Sequence, residues 1–209
     1  YDLKQKKVID KIPFKGKGDF EGIERVRDQV FAVKSNGTLY KFQVGKEGVV
    51  EKIKTPFEHA NDIEGLAYDP FNDLLLFALK GSGDVGAFDV KGKGIYAYDL
   101  STALFIEEPT AVVLNKEIEE LQDDNFHFRP SGLAIHPISK ELYVLSASDP
   151  ALVVFDQTGR LKNLIPLNKK LYPQPEGITF APSGRLYISN ERKGGGKLLV
   201  FEQQRDSKN

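Results

Sequence analysis

The sequence predicts an all-β fold, a five-bladed β-propeller, on three observations. First, four phrases align on an acid or serine directly before a glycine at the start of a repeat: "DFEGIERV", "DIEGLAYD", "RPSGLAIH" and "QPEGITFA". Second, the glycines Gly22, Gly65, Gly132 and Gly177 are spaced by 43, 67 and 45 residues, and two of those spacings match the roughly 40–50 residues of one blade. Third, every repeat runs through a short apolar strand, a polar turn, a stronger strand, a second turn and another strand. Radially repeated antiparallel sheets satisfy that pattern.

The elements follow in chain order. Residues 1–14, "YDLKQKKVIDKIPF", read as the outer half of a first, incomplete blade. Further blades start near residues 19, 62, 129 and 174, and the whole chain, 1–209, forms one domain. Turns such as Pro70-Phe71-Asn72-Asp73 and Ala181-Pro182-Ser183-Gly184 supply a preset φ or tolerate a positive one, as hairpins require. The long middle spacing predicts an insertion over residues 101–128, between the third and fourth blades. Within it "NKEIEEL", residues 115–121, carries Ile118 and Leu121 three apart and acids near its start, which predicts a short surface helix.

Composition excludes several classes. With 29 basic and 30 acidic side chains the net charge is −1, so nothing marks a nucleic-acid or anionic-lipid surface. There are no cysteines, which excludes disulfides, thiolate metal sites and cysteine nucleophiles. No apolar run reaches the roughly 18–20 residues of a membrane span. The chain begins at Tyr1 and has no methionine, so part of a longer product is expected, with the inner strands of the first blade upstream. A missing signal peptide then says nothing about export.

The acid before each glycine is the main functional signal. The innermost strands of a propeller line its channel, so equivalent positions ring the axis. Glu21, Glu64 and Glu176 are equivalent, and Ser131 takes the fourth place. Carboxylates gathered at one channel mouth repel one another unless a cation neutralises them or one is protonated. The glycine lets backbones approach closely or adopt a positive φ. Two readings stay open: acids that accept backbone N–H groups at strand starts, or ligands of a hard cation. For the second, calcium, with six to eight flexible oxygen ligands, suits a wide ring.

The phrases "GDFEGI", "IEGLAYDP", "FRPSGLAIHPISKELYVLSAS" and "QPEGITFAPSGRLYISNE" resemble the SdiA-regulated family of bacterial β-propeller proteins, over residues 1–202. The resemblance implies a propeller distantly similar to NHL repeats, with a calcium site and no established activity. It also implies an extracytoplasmic place in the bacterial envelope, behind an export or anchoring segment. Carried onto this chain, the family's acid–glycine positions fall on Glu21, Glu64 and Glu176, and its acidic strand end on Asn190 and Glu191.

Other motifs carry less. "GSGDVG", residues 81–86, matches a dinucleotide fingerprint in spacing, but strand-like sequence follows where a helix is required. There is no G-x-S-x-G elbow and no H-E-x-x-H, so no nucleophile–base pair is identified. The expected function is therefore a monomeric, calcium-binding protein that binds an unidentified ligand or protein partner, without nucleic acid and without inserting into a membrane. A metal-dependent ester or phosphoester hydrolase is the alternative, with Asp62, His59 and His127 as candidate bases. A purely structural interaction scaffold is the third reading.

Overall fold

The computed structural model describes residues 2–13, 17–46, 48–121, 126–191 and 196–202. Its first sheet comprises Phe20–Val26 (β1), Gln29–Lys34 (β2), Leu39–Gln43 (β3) and Val50–Ile53 (β4). After a 3-10 turn, His59–Asn61, comes the second: Ile63–Asp69 (β5), Leu74–Leu79 (β6), Gly92–Asp99 (β7) and Leu104–Leu114 (β8). A helix, Asn115–Leu121 (α1), precedes the third sheet of Pro130–Ile135 (β9), Leu142–Ser146 (β10), Ala151–Phe155 (β11) and Leu161–Pro166 (β12). The fourth holds Pro175–Phe180 (β13), Leu186–Asn190 (β14) and Lys197–Phe201 (β15). Within each sheet the strands pair antiparallel in chain order, and the first strands pack side by side from β1 through β5 and β9 to β13. This is a propeller.

Residue types explain the local turns. Asp69 Oδ1 accepts the Phe71 N–H at 2.9 Å and Asp156 Oδ1 accepts the Thr158 N–H at 2.8 Å. These side chains stand in for backbone in a tight turn. Gly159 takes a positive φ, 78°, in the second of these turns, and Gly37 one of 81° between β2 and β3.

The core lies between sheets. Along β6 the side chains alternate: Leu75, Phe77 and Leu79 join the cluster shared with the first sheet, while Leu76 and Ala78 join the cluster shared with the third. All five are buried. A sheet held on both faces reads as a continuous apolar run, hence "LLLFAL". A smaller cluster of Leu145, Leu152, Tyr172 and Ile188 joins the third sheet to the fourth.

Three expectations change in detail. The described residues form four sheets, where the repeat count predicts five. Residues 2–13, expected as outer strands, form one bridge between Asp2 and Lys7, because the described residues give them no inner strand to pair on. The helix falls on residues 115–121 as expected, but residues 104–114, placed by sequence in the insertion, are the fourth strand of the second sheet. Its strand character is hidden by Glu107, Glu108 and Pro109. The pairing register jumps from Ala97↔Ile106 to Ile95↔Ala111 across that stretch, a bulge that tolerates the missing proline N–H. Part of the extra length also lies in the long loop between β6 and β7.

Candidate functional site

In all four sheets the inner strand carries the same irregularity. Phe20 pairs with Lys34 and Gly22 with Val33, so Glu21 is skipped. Glu64, Ser131 and Glu176 are skipped in the same way in β5, β9 and β13. Each acid or serine is therefore the extra residue of a β-bulge, a device that re-aims a side chain out of the regular pleat. None of the four following glycines has a positive φ. Of the two roles the sequence offers them, close approach is the one used: a Cβ on Gly132 would stand 2.6 Å from the Glu176 carbonyl oxygen, and one on Gly65 2.6 Å from Leu133 and 3.3 Å from the Gly132 Cα.

The bulges bring Glu21, Glu64 and Glu176 within electrostatic reach of one another. Partial burial, then the charge of Glu64, then a hydrogen bond with Asp19 and the charges of Asp19 and Glu176 push Glu21 up to about 7. Glu176 is raised chiefly by burial, against a Gln174 hydrogen bond that opposes the shift, and further by the charge of Glu64. Glu64 is mostly buried and is ion-paired, its Oε1 lying 2.6 Å from Lys80 Nζ. Lys80 is desolvated, which favours its neutral form, yet its affinity for the proton rises because Glu64, Asp62 and Glu176 surround it.

Glu191 and Glu176 are joined through Gln174, whose Nε2 donates to Glu176 Oε1 at 3.0 Å and to Glu191 Oε2 at 2.9 Å. Asn190 is 4% exposed, and among the described residues neither its Nδ2 nor its Oδ1 has a hydrogen-bond partner. An orphaned buried amide is unusual in a native fold and asks for an explanation. Ser131 is spoken for: it is buried and donates to the Pro175 carbonyl at 2.6 Å, tying the third sheet to the fourth.

The donor set can be weighed against a cation. Among the described residues no three His, Asp or Glu side chains converge closely enough to coordinate a metal as they stand, and Lys80 supplies one internal positive charge. The chemistry nevertheless fits a hard cation: the donors are all oxygens, two of the carboxyls are driven toward their neutral forms, and an Asn190 oxygen is unclaimed. Glu21, Glu64, Glu176 and Asn190 would hold such an ion, which would supply the missing counter-charge.

The Glu21 environment has a measurable sign. The fold favours its protonated form, so its cost is absent below about pH 4.5, grows as pH rises, and is complete above about pH 7. Solvent screening of this partly exposed group reduces the effect to about 1 kcal/mol. Glu21→Gln should therefore raise the metal-free melting temperature by roughly 2–4 °C at pH 8 and by little at pH 5. An equal shift at both values contradicts the clustered geometry.

The candidate bases separate. Asp62 and His127 line one cavity of about 540 Å³ that also contains Lys80, Lys93 and Arg129. His127 is exposed and paired with Asp149, its Nδ1 lying 3.5 Å from Oδ2. His59 sits in the exposed 3-10 turn, outside that cavity. His136 is buried structurally, its Nδ1 accepting from Ser139 N at 3.0 Å.

Sequence reasoning missed Lys80, Lys93 and Arg129. Two of them leave a signal once the repeats are aligned. Arg129 stands in the column of Asp19 and Asp62, and Lys80 in the column of Glu191, each following its second inner strand. The third sheet thus replaces acid with arginine and serine.

A family model described as SdiA-regulated matches residues 3–193. No curated protein matches the chain. Among solved structures, XC5397 from Xanthomonas campestris, a gluconolactonase, superposes with a TM-score of 0.59 at 16% identity, covering 90% of this chain and 60% of that one. An auxiliary nutrient binding protein from Bacteroides thetaiotaomicron VPI-5482 gives 0.58 at 14% identity, covering 93% and 44%. A protein of unknown function from the same organism gives 0.54 at 12%, covering 80% and 41%. At these identities the likeness shows the fold alone. The chain spans roughly half the length of several of the structures it matches, 41%, 50% and 49% in three of them.

Proposed function

The chain belongs to the SdiA-regulated family, and from that premise we propose that it is a calcium-dependent binding protein of the bacterial cell envelope, acting as a monomer outside the cytoplasm. The observation that carries the cation is the unmet charge at the bulges: Glu21 held near 7 beside Glu64 and Glu176, with the Asn190 amide unclaimed. A five-sheet ring belongs to the same reading. Ile23 is 72% exposed on β1, whereas its counterparts Leu66 and Leu133 are 7% and 3% exposed against the preceding sheet. A further sheet beside β1 would bury it.

Calcium added to EDTA-treated protein should raise the melting temperature. An ion at 100 times its Kd contributes about 2.7 kcal/mol, roughly 5–10 °C for a chain of this size. Glu176→Gln should abolish most of that rise. A melting point indifferent to calcium overturns the proposal.

A second reading, a metal-dependent hydrolase, has one observation in its favour. Asp62 and His127 share a cavity whose wall includes Lys80, the ion-pair partner of Glu64. A base and a polarising cation in one open cleft are the minimum such chemistry needs. Lactone turnover by the calcium-loaded protein decides between binding and hydrolysis.

A further inference from the structure

Beside the carboxylate cluster, the cavity between the second and third sheets is built with the opposite charge. Its lining carries Lys80, Lys93 and Arg129 together with the apolar Val113, Ile118 and Phe128. At about 540 Å³ it falls within the range of small-molecule sites, which are commonly apolar with a few convergent polar groups.

The three cations are not equally satisfied. Lys80 is paired with Glu64. Lys93 Nζ donates to two backbone carbonyls, Lys80 O at 2.5 Å and Gly81 O at 2.6 Å. An ammonium has three donors, so one is left. Among the described residues the Arg129 guanidinium forms no ion pair, although its charge presses on Lys93. Burial, then that charge, lowers the Lys93 proton affinity, with Asp62 opposing. Two neighbouring cations without a carboxylate of their own make an arrangement that an anion relieves.

We infer that this cavity binds a small organic carboxylate with an apolar body. The planar fork of Arg129 and the spare Lys93 donor match a carboxylate's two oxygens. The wall of Val113, Ile118 and Phe128, all buried, takes the hydrocarbon part. Asp62, also at the cavity, and Glu64 behind Lys80 add negative charge on one side, which disfavours a dianion such as phosphate against a monoanion. The inference goes beyond the cation site and does not depend on it.

The test is isothermal titration of hexanoate into the full chain in EDTA, so that loss of the cation reading leaves it intact. One saturable site is expected, weakened about tenfold in Arg129→Gln, the effect of one charged hydrogen-bonding group. Arg129 is exposed, so the variant should melt like the native protein. Hexanol, hexylamine and inorganic phosphate should not compete. Absence of saturable hexanoate binding overturns the inference. So does unchanged affinity in Arg129→Gln, equal binding of hexanol, or preference for phosphate.

Discussion

Phe77→Ala is expected to lower the stability of the fold by about 4 kcal/mol, roughly 8–16 °C in melting temperature. Phe77 is completely buried on the face of β6 that meets the first sheet. Its ring centroid lies 5.2 Å from Phe57 and 5.6 Å from Phe105. Phe57 in turn meets Tyr96 edge-on at 6.0 Å. Removing the ring forfeits its transfer from water and its aromatic contacts, and it leaves a cavity that two rigid sheets cannot close. The consequence reaches the site, because β6 ends immediately before Lys80, the partner of Glu64. Urea unfolding should show a lower midpoint at unchanged slope. Ile138→Ala, at a position 61% exposed, should stay within about 0.5 kcal/mol. Comparable losses at the two positions would mean that the sheet interface is not the main store of stability.

Gly132→Ala comes next, at about 3 kcal/mol. The new methyl would stand 2.6 Å from the Glu176 carbonyl oxygen. Backbone in the neighbouring inner strand cannot rotate away as a side chain can, so the third and fourth sheets must separate. That separation also stretches the 2.6 Å bond from Ser131 to the Pro175 carbonyl and displaces the bulge that carries Glu176. Gly177→Ala is the matched comparison. Its methyl would meet the Ser189 hydroxyl at 2.5 Å, and a hydroxyl can turn away, so a loss under about 1 kcal/mol is expected. Melting curves for the pair test this directly. If Gly177→Ala costs as much as Gly132→Ala, the glycines serve something other than inter-sheet contact.

Much of the architecture was legible because it repeats. Spacing between Gly22, Gly65, Gly132 and Gly177 exposes the sheets, and alternation along stretches such as "TLYKF" exposes their strands. The strand over 104–114 was not legible, because Glu107, Glu108 and Pro109 interrupt its apolar pattern and only pairing with β7 makes it a strand. At the site, equivalence of Glu21, Glu64 and Glu176 could be read from the repeats, but their bulges could not. A bulge is a relation between two strands, and one strand's letters do not contain it. Lys93 was beyond reach for a similar reason. Its meaning comes from two carbonyls on the loop after β6 and a guanidinium just ahead of β9, none of them its neighbour in sequence.

The bulges have one more consequence. A residue skipped by the ladder contributes no cross-strand pair, so its identity is nearly free of the constraints that hold the strand in register. Ser131 occupies such a place with a hydroxyl while Glu21, Glu64 and Glu176 occupy theirs with carboxyls, and the skip is the same in all four sheets. The fold therefore keeps its hydrogen-bond grammar separate from its charge vocabulary. A lineage carrying this scaffold can rewrite the side chain each bulge presents, one letter per sheet, without re-solving how the sheets are made.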